Sequence, residues 1–546
     1  MAKAVIYDSA AKEKILAGVN KLEKAVTCTL GPAGKNVIID EFGTIHSTRD
    51  GVTVAKSIVL KDKFENLGVN AVREVAEKSA DRVGDGTTTS TLLAATIFRN
   101  GLKYVSLGSN ATQIKNGIKK AAEKAVEFVK ASAKKVESPE DLKKVAIVSA
   151  NGDEKIGEVI SEIMGKIGND GTIKVENGSG IDLTSKIVEG MVIDKSYESP
   201  YMISNPETME AELDNPWILI VDKKIAHVQD VLGCLQTVTK TGRPLLVIAE
   251  SYADEFLATA VMNRMRGALN TVAITSPSYG DNRRNILDDI AVLTGGKVVS
   301  DKTGVKFEHA LAGSGVLGTA QRVVVNKTST IIIGGGGNAQ AVADRAASLR
   351  AQISSTEDQF DKGKLEERLA RLTSGIGVIT VGATTEAERK ELRDRVDDAF
   401  CASKAAIRSG IVPGGGVALL NAMQKLDAAY EKGSADYNKL VGDEIIGVKI
   451  LCDSLDAPIR KILDNAGLDS SLIVGKLVED RQQSGRGYDA LNRKYVDMIE
   501  AGIIDPAEVV TNEITNAASV ASLLLTTDAL IVDEPEDKLP KNNPAM

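Results

Sequence analysis

The chain has 546 residues, too many for one hydrophobic core, and is expected to divide into roughly two to four domains. Lys plus Arg number 67 against 75 Asp plus Glu, and the net charge of −8 argues against a bulk attraction to nucleic acid. No apolar run approaches the ~18 to 20 residues that cross a bilayer, and Met1–Val5 has no stretch suited to a signal peptide, so a membrane partner is not expected. Cys28, Cys234, Cys401 and Cys452 are far apart and form no C-x-x-C pair, which argues against zinc and a disulfide framework and for a reduced, cytoplasmic setting. His46, His227 and His309 are isolated in sequence, which argues against a histidine triad or metal cluster.

In chain order, the pattern from Asp8 to about Lys130 predicts a helix, a short hairpin and several further helices. The hairpin is expected between Asn36–Ile39 and Val52–Val54, with Asp50-Gly51 as a tight-turn signal. Val69, Val72, Ala76, Ala80 and Val83 repeat at helical spacing. Next comes Gly84-Asp85-Gly86-Thr87-Thr88-Thr89, directly ahead of Leu92-Leu93-Ala94-Ala95. The charged segment Lys134–Asp141 marks a boundary, followed by a short helix-and-strand region ending near Glu189-Gly190. The continuous apolar runs Trp217–Val221, Leu245–Ala249 and Thr271–Ile274 alternate with helical segments, which predicts buried strands flanked by helices in a separate α/β module. A charged helical stretch runs from about Asn338 to Leu372, a second helix from Glu386 to Ser409, and small apolar helices return after Pro413-Gly414-Gly415-Gly416. The two ends therefore look alike and the middle looks inserted. Gly190, Gly375 and Gly410 near the junctions suit either hinges or ordinary turns.

The Gly84–Thr89 stretch carries the most chemistry. A carboxylate, a flexible glycine and three uncharged hydroxyls stand where a helix begins, and there the unpaired backbone N–H groups and the positive end of the dipole favour phosphate. Asp85 suits Mg²⁺, which takes one or two carboxylates together with phosphate oxygens and water. Asp and Thr are also ordinary helix caps, and the hexapeptide alone leaves both possibilities open. No Gly-Lys-Ser/Thr loop of the P-loop kind occurs anywhere in the chain.

Thr29-Leu30-Gly31-Pro32, Asp50-Gly51-Val52-Thr53-Val54, Gly84–Thr89 and Gly414-Gly415-Gly416-Val417-Ala418-Leu419, in this order, resemble a group I chaperonin, the GroEL family, over nearly the whole chain. The resemblance implies a multi-domain fold, mainly α with α/β. A helical equatorial ATP domain would comprise 1–132 and 410–546, a small α/β intermediate domain 133–189 and 375–409, and an inserted α/β apical domain 190–374. It implies an ATPase that captures non-native proteins and encloses them in a ring cavity, with ATP and Mg²⁺ as cofactors and K⁺ as a further candidate. Thr29, Leu30, Gly31 and Pro32 would contact the nucleotide, Asp85 would hold the metal, and Gly86, Thr87, Thr88 and Thr89 would wrap the phosphates. Gly415 would lie against the nucleotide, although Pro-Gly-Gly-Gly is also simply a turn. Asp505 matches the acid near the ribose, and Asp398 and Asp50 match the carboxylates that position the attacking water.

Three features depart from the family pattern. Arg49 replaces the usual Lys, a planar fork in place of a point charge, with consequences for phosphate contacts or monovalent-cation dependence. Asp489, ahead of Ala490, replaces the usual Asn near the base. The tail from Pro535 to Met546 lacks a Gly-Gly-Met repeat. In the inserted module, Val228, Val231, Leu232, Leu235 and Val238 mark one helix face, and Leu257, Val261 and Met262 mark another; periodicity alone makes these core stripes. The resemblance instead implies a groove for clients and a lid co-chaperonin, lined by Leu232, Leu235, Leu257, Val261 and Met262 with Tyr197, Tyr201 and Met202. Glu198 puts a charge where the pattern is apolar, and Gly233-Cys234 alters the helix between two anchors. The implied assembly is a heptameric ring or a stacked pair of rings. The rivals are a paralogue that keeps the groove but hydrolyses poorly, and an unrelated magnesium-dependent phosphotransferase.

Overall fold

Helical periodicity organises both ends of the chain. The computed structural model describes residues 2–41, 44–83, 85–136, 138–150, 152–167, 172–178, 180, 182–206, 208–356, 358–373, 375–480 and 485–533; Gly84 and the tail from Pro535 to Met546 lie outside the described residues. Contacts divide the chain into two compact units, one of Met1–Glu162, Asn177–Thr184 and Thr380–Met546, the other of Ile163–Glu176 and Ser185–Ile379.

In the first unit the helices Asp8–Thr27, Lys63–Val83, Thr87–Ser106, Ala111–Ser132 and Ala507–Leu525 pack around one core that includes Ile15, Leu22, Val69, Val72, Leu93, Phe98, Ile114 and Ile514. Each fully buried side chain of this size contributes roughly 1.5–3 kcal/mol. Small residues bring the backbones together. A Cβ on Gly117 would stand 1.9 Å from the Glu444 carbonyl oxygen, and one on Gly447 would stand 2.1 Å from that of Ile114, so the Glu444–Cys452 helix lies backbone against backbone on Ala111–Ser132. Lys3–Tyr7 pairs antiparallel with Ala529–Asp533.

The second unit carries the expected α/β module. Trp217–Val221, Leu245–Ala249 and Thr271–Thr275 are parallel strands in register, Trp217 opposite Leu245 and Leu245 opposite Thr271. Val228–Thr241 and Asp254–Met265 are the helices between them, and the sheet continues through Gly318–Val325 and Thr330–Gly335 to Gly190–Ile193. Thr172–Asn177, Ile376–Val381 and Thr184–Val188 form a separate three-stranded sheet with the second of these in the centre.

Three expectations are corrected. The partner of Val37–Glu41 in the hairpin is Thr44–Thr48, not Val52–Val54. Asp50-Gly51 starts the helix Gly51–Ser57 instead of making a tight turn, because the Asp50 carboxylate accepts from the N–H groups of Val52 and Thr53 and satisfies that helix's first donors. The charged stretch from Asn338 is two helices, Ala339–Ser355 and Gln359–Thr373. Thr356 is extended, and Asp358 restarts the helix by accepting from the Asp361 N–H.

Candidate functional site

The first unit's site is built around the turn at Asp85-Gly86. Gly86 caps the helix Thr87–Ser106 at φ +80°, a left-handed conformation that favours glycine. A Cβ there would also stand 2.8 Å from both Glu513 Oε1 and Val509 Cγ1. Asp85 accepts from the Gly86 N–H at 2.6 Å and from the Ser149 hydroxyl at 2.7 Å. The first-turn N–H groups of Thr87, Thr88 and Thr89 have no acceptor within their own helix, as at any helix start.

Three further segments converge on this turn, and the loop Thr29–Pro32 is tied to one of them through Arg49. A Cβ on Gly51 would stand 2.2 Å from Thr88 Oγ1 and 3.2 Å from Thr87 Oγ1, so the missing side chain lets the Asp50 segment close on the threonines. The loop Thr29, Leu30, Gly31 and Pro32 is fixed from outside by Asn465, whose amide donates at 2.9 Å to the carbonyls of both Thr27 and Leu30. Arg49 donates to the Gly34 carbonyl at 2.6 Å and so ties the hairpin to the same loop. Val412 pairs with Asp505 across a short antiparallel ladder, which sets Gly414 and Gly415 beside the Asp505 carboxylate; the Gly415 backbone hydrogen-bonds it. Finally, the helix Glu386–Ser409 packs against Lys63–Val83, Pro139–Ser149 and Ala507–Leu525 and against the strand Thr44–Thr48, bringing Asp398 to Asp85 and Asp50.

The electrostatics follow from crowding carboxylates in a poorly hydrated recess. Burial, then the charges of Asp85, Asp50, Asp394 and Asp397, push Asp398 well above the ordinary carboxylate range. Burial and Asp85 raise Asp505 to about 7; burial, Asp50 and Asp397 raise Asp394 to about 6. Burial also raises Asp85, against its hydrogen bonds from Ser149 and Gly86. Like charges that cannot all ionise together favour an added cation. Among the described residues no group of three His, Cys, Asp or Glu side chains could hold a metal ion, so protein ligands alone do not make a metal cage. Asp85 could give one carboxylate ligand to Mg²⁺ beside phosphate oxygens.

Asp489 and Ala490 sit differently. The Asp489 carboxylate accepts from the Leu491 and Asn492 N–H groups and from the Asn492 amide. Against the cost of its burial, these bonds hold it below the usual range. Asp489 thus spends its acceptors within its own turn. Ala490 packs in a small core with Val417, Leu420 and Met498, and a Cβ on Gly415 would stand 3.0 Å from Met498 Cε.

The second unit presents apolar surface. In Val228–Thr241 the buried stripe is Val231, Cys234 and Val238, while Leu232 is exposed and Leu235 half-buried beside it. Asp254–Met265 buries Phe256 and Ala260, leaves Leu257 and Val261 half-buried and exposes Met262, with Met265 71% exposed at its end. Periodicity had merged two neighbouring rows into one face. Tyr201 is 72% exposed and Tyr197 partly buried, but Met202 is fully buried, its sulfur 3.4 Å from the Ala273 N–H. Met202 is therefore a core residue and not a groove-lining one: the tight turn Pro200–Met202 sends Tyr201 outward and Met202 inward. Glu198 accepts from the Thr275 hydroxyl at 2.8 Å, and its N–H donates to Ala273, so its charge is anchored at the sheet end. Gly233 is exposed, and Cys234 is a core thiol that burial pushes up to about 12.

A model of the TCP-1/cpn60 chaperonin family matches residues 22–535. The chain belongs to that family. Its fold is similar to that of the chaperonin gp146 from bacteriophage EL 2 (Pseudomonas aeruginosa), crystallised in the presence of ATP-BeFx. One crystal form gives a TM-score of 0.71 at 22% identity, covering 97% of this chain and 99% of the phage chain. A second form gives 0.65 with the same identity and coverage.

In this chaperonin several residues that shape the recess carry no local sequence signal. Asn465 ends an ordinary helix and is separated from the loop it holds by more than four hundred positions. Asp394 lies one turn from Asp398, a spacing that would have suggested it once Asp398 was chosen. Glu513 shares its helix with a second acid, Glu508, and nothing local marks it as the buried one.

Proposed function

We propose that this chaperonin binds MgATP at the Asp85–Thr89 turn, hydrolyses it with Asp398 and Asp50 orienting the attacking water, and captures non-native proteins on the apolar surface of its second unit. The observation that carries the proposal is the convergence of Asp398 on Asp85 and Asp50, from a helix more than three hundred residues away in sequence. Thr87, Thr88 and Thr89 offer N–H and hydroxyl donors to phosphate oxygens. The loop Thr29, Leu30, Gly31 and Pro32, with Gly415, Ala490 and Asp505, supplies the remaining walls of the nucleotide site, with Asp489 supporting Ala490 through its turn. Mg²⁺ at Asp85 would neutralise phosphate charge. Asp398 and Asp50, as acceptors, hold a water in line, which is most of what phosphoryl transfer asks of a protein.

Leu232, Leu235, Leu257, Val261 and Met262, with Tyr197 and Tyr201, form the client surface. Burying ~400 Å² of apolar client there is worth roughly 10 kcal/mol before association costs, and non-directional contact suits many sequences. Enclosure requires a ring of copies. The Val37–Glu41/Thr44–Thr48 hairpin exposes Ile38 and Ile45, and within the described residues it and the Lys3–Tyr7/Ala529–Asp533 pair are both two-stranded, leaving outer edges suited to strand addition between copies. Group I membership, a heptameric single or double ring, a lid co-chaperonin, a K⁺ requirement and a cytoplasmic location complete the proposal. No helix among the described residues is long and apolar enough to cross a membrane.

Negative-stain images with and without ATP, alongside ATP turnover, test the whole. A ring with a central hole and measurable turnover are expected; a compact monomer or dimer would overturn the ring. Negligible turnover in a ring that still captures denatured protein would replace the machine by a passive binder.

A further inference from the structure

Glu513 is 6% exposed, lies in the helix Ala507–Leu525 and takes no part in the hydrolysis outlined above. Its side chain hydrogen-bonds Thr89, and its Oε1 occupies the space a Gly86 side chain would need. One turn further along, the Asn516 amide donates to Ser79 Oγ at 3.0 Å, and Ser79 and Ser90 hydroxyls stand 3.0 Å apart. The Ser90 hydroxyl donates to the Gly86 carbonyl at 2.8 Å. That carbonyl can only accept, so Ser90 must receive its bond from Ser79, and Ser79 receives one from Asn516. The polarity of the chain is fixed: Asn516 to Ser79 to Ser90 to Gly86. Ser79 and Ser90 are fully buried, so water does not substitute for these partners.

We infer that Glu513 and Asn516 are positioning residues for the phosphate turn, Glu513 by orienting the Thr89 hydroxyl and Asn516 by anchoring the Gly86 carbonyl through the two serines. The C-terminal helix thereby sets the geometry of a nucleotide-binding turn more than four hundred residues earlier. Burial and the charges of Asp505 and Asp85 push Glu513 well above the ordinary glutamate range, and glutamine keeps a carbonyl oxygen where Thr89 needs an acceptor. This inference rests on the MgATP site proposed above, and its test includes a readout that does not require nucleotide.

The full-length protein is compared with Glu513→Ala, Glu513→Gln, Thr89→Val and the Glu513→Ala/Thr89→Val double variant. Steady-state ATP turnover is measured, together with amide hydrogen exchange over residues 86–90 without nucleotide. Loss of one buried acceptor is expected to raise KM for MgATP about five- to tenfold in Glu513→Ala, with a smaller change in kcat. Exchange over the turn should be faster, Glu513→Gln should restore both, and the double variant should be no worse than the more impaired single variant. Unchanged exchange and KM in Glu513→Ala, or failure of Glu513→Gln to restore them, would overturn the inference. If the parent hydrolyses no ATP, the proposed activity fails and the exchange data still decide the role of Glu513. If Glu513→Ala does not fold, Glu513→Gln against Thr89→Val decides it: normal exchange in the first and faster exchange in the second are expected, and the reverse overturns the role.

Discussion

The recess of the first unit and the apolar surface of the second are built by opposite means. The recess crowds partly buried carboxylates together, so burial and mutual repulsion raise the proton affinity of Asp398, Asp505, Asp394 and Asp85. The surface leaves apolar side chains in water beside a row that is fully buried. One stores electrostatic free energy until a ligand arrives, and the other stores unfavourable hydration. A site of the first kind is selective because few ligands bring both a cation and phosphate oxygens; a site of the second kind accepts many sequences.

The largest effect separating the two should come from Asp398→Ala. Removing a carboxylate that orients water is expected to slow single-turnover hydrolysis by about 10²–10⁴-fold, while nucleotide affinity and capture of a denatured protein persist. Affinity and turnover falling together would mean that Asp398 belongs to binding and not to the hydrolytic step.

Within the second unit, two methionines test the boundary between core and surface. Met202→Ala should destabilise that unit by about 2–5 kcal/mol, because a filled position becomes a cavity. Met262→Ser should leave its unfolding midpoint nearly unchanged and weaken capture of a denatured client severalfold, most clearly when combined with Leu232→Ser. Equal losses of stability in both would mean that the exposed row is structural.

These contrasts also show what was legible in the sequence. Continuous apolar runs gave the three parallel strands of the second unit, because strands buried on both faces leave no alternation to misread. Asp50-Gly51 misled, since the same pair serves a tight turn and a helix cap, and only the donors of Val52 and Thr53 decide between them. The motif residues of the recess could be chosen because their chemistry is local. Asn465, Glu513 and Asn516 could not, because each acts across the fold and nothing near it in sequence records the partner. Met202 was misplaced for a related reason: neighbours in a tight turn point in opposite directions, and spacing does not say which one faces the sheet.

The smallest expected effect is a pH dependence peculiar to the recess. Asp505, raised to about 7, and Asp394, raised to about 6, hold protons in the folded state that the unfolded chain has already released above about pH 4. The folded state therefore binds more protons across that window, and its stability should fall as pH rises from 5 to 8. Exposed ion pairs act elsewhere: carboxylates such as Asp62, held below the usual range by the Lys14 ammonium, lose their contribution only under more acidic conditions. Thermal unfolding of the nucleotide-free protein should thus show a midpoint that declines over this range. Asp505→Asn should shallow the decline, and MgATP analogue should reverse it, since positive charge at Asp85 lets the remaining carboxylates ionise. A midpoint that rises with pH, or a slope indifferent to Asp505→Asn, would mean that these carboxylates are better hydrated than their surroundings imply, and the cation would then have little repulsion left to relieve.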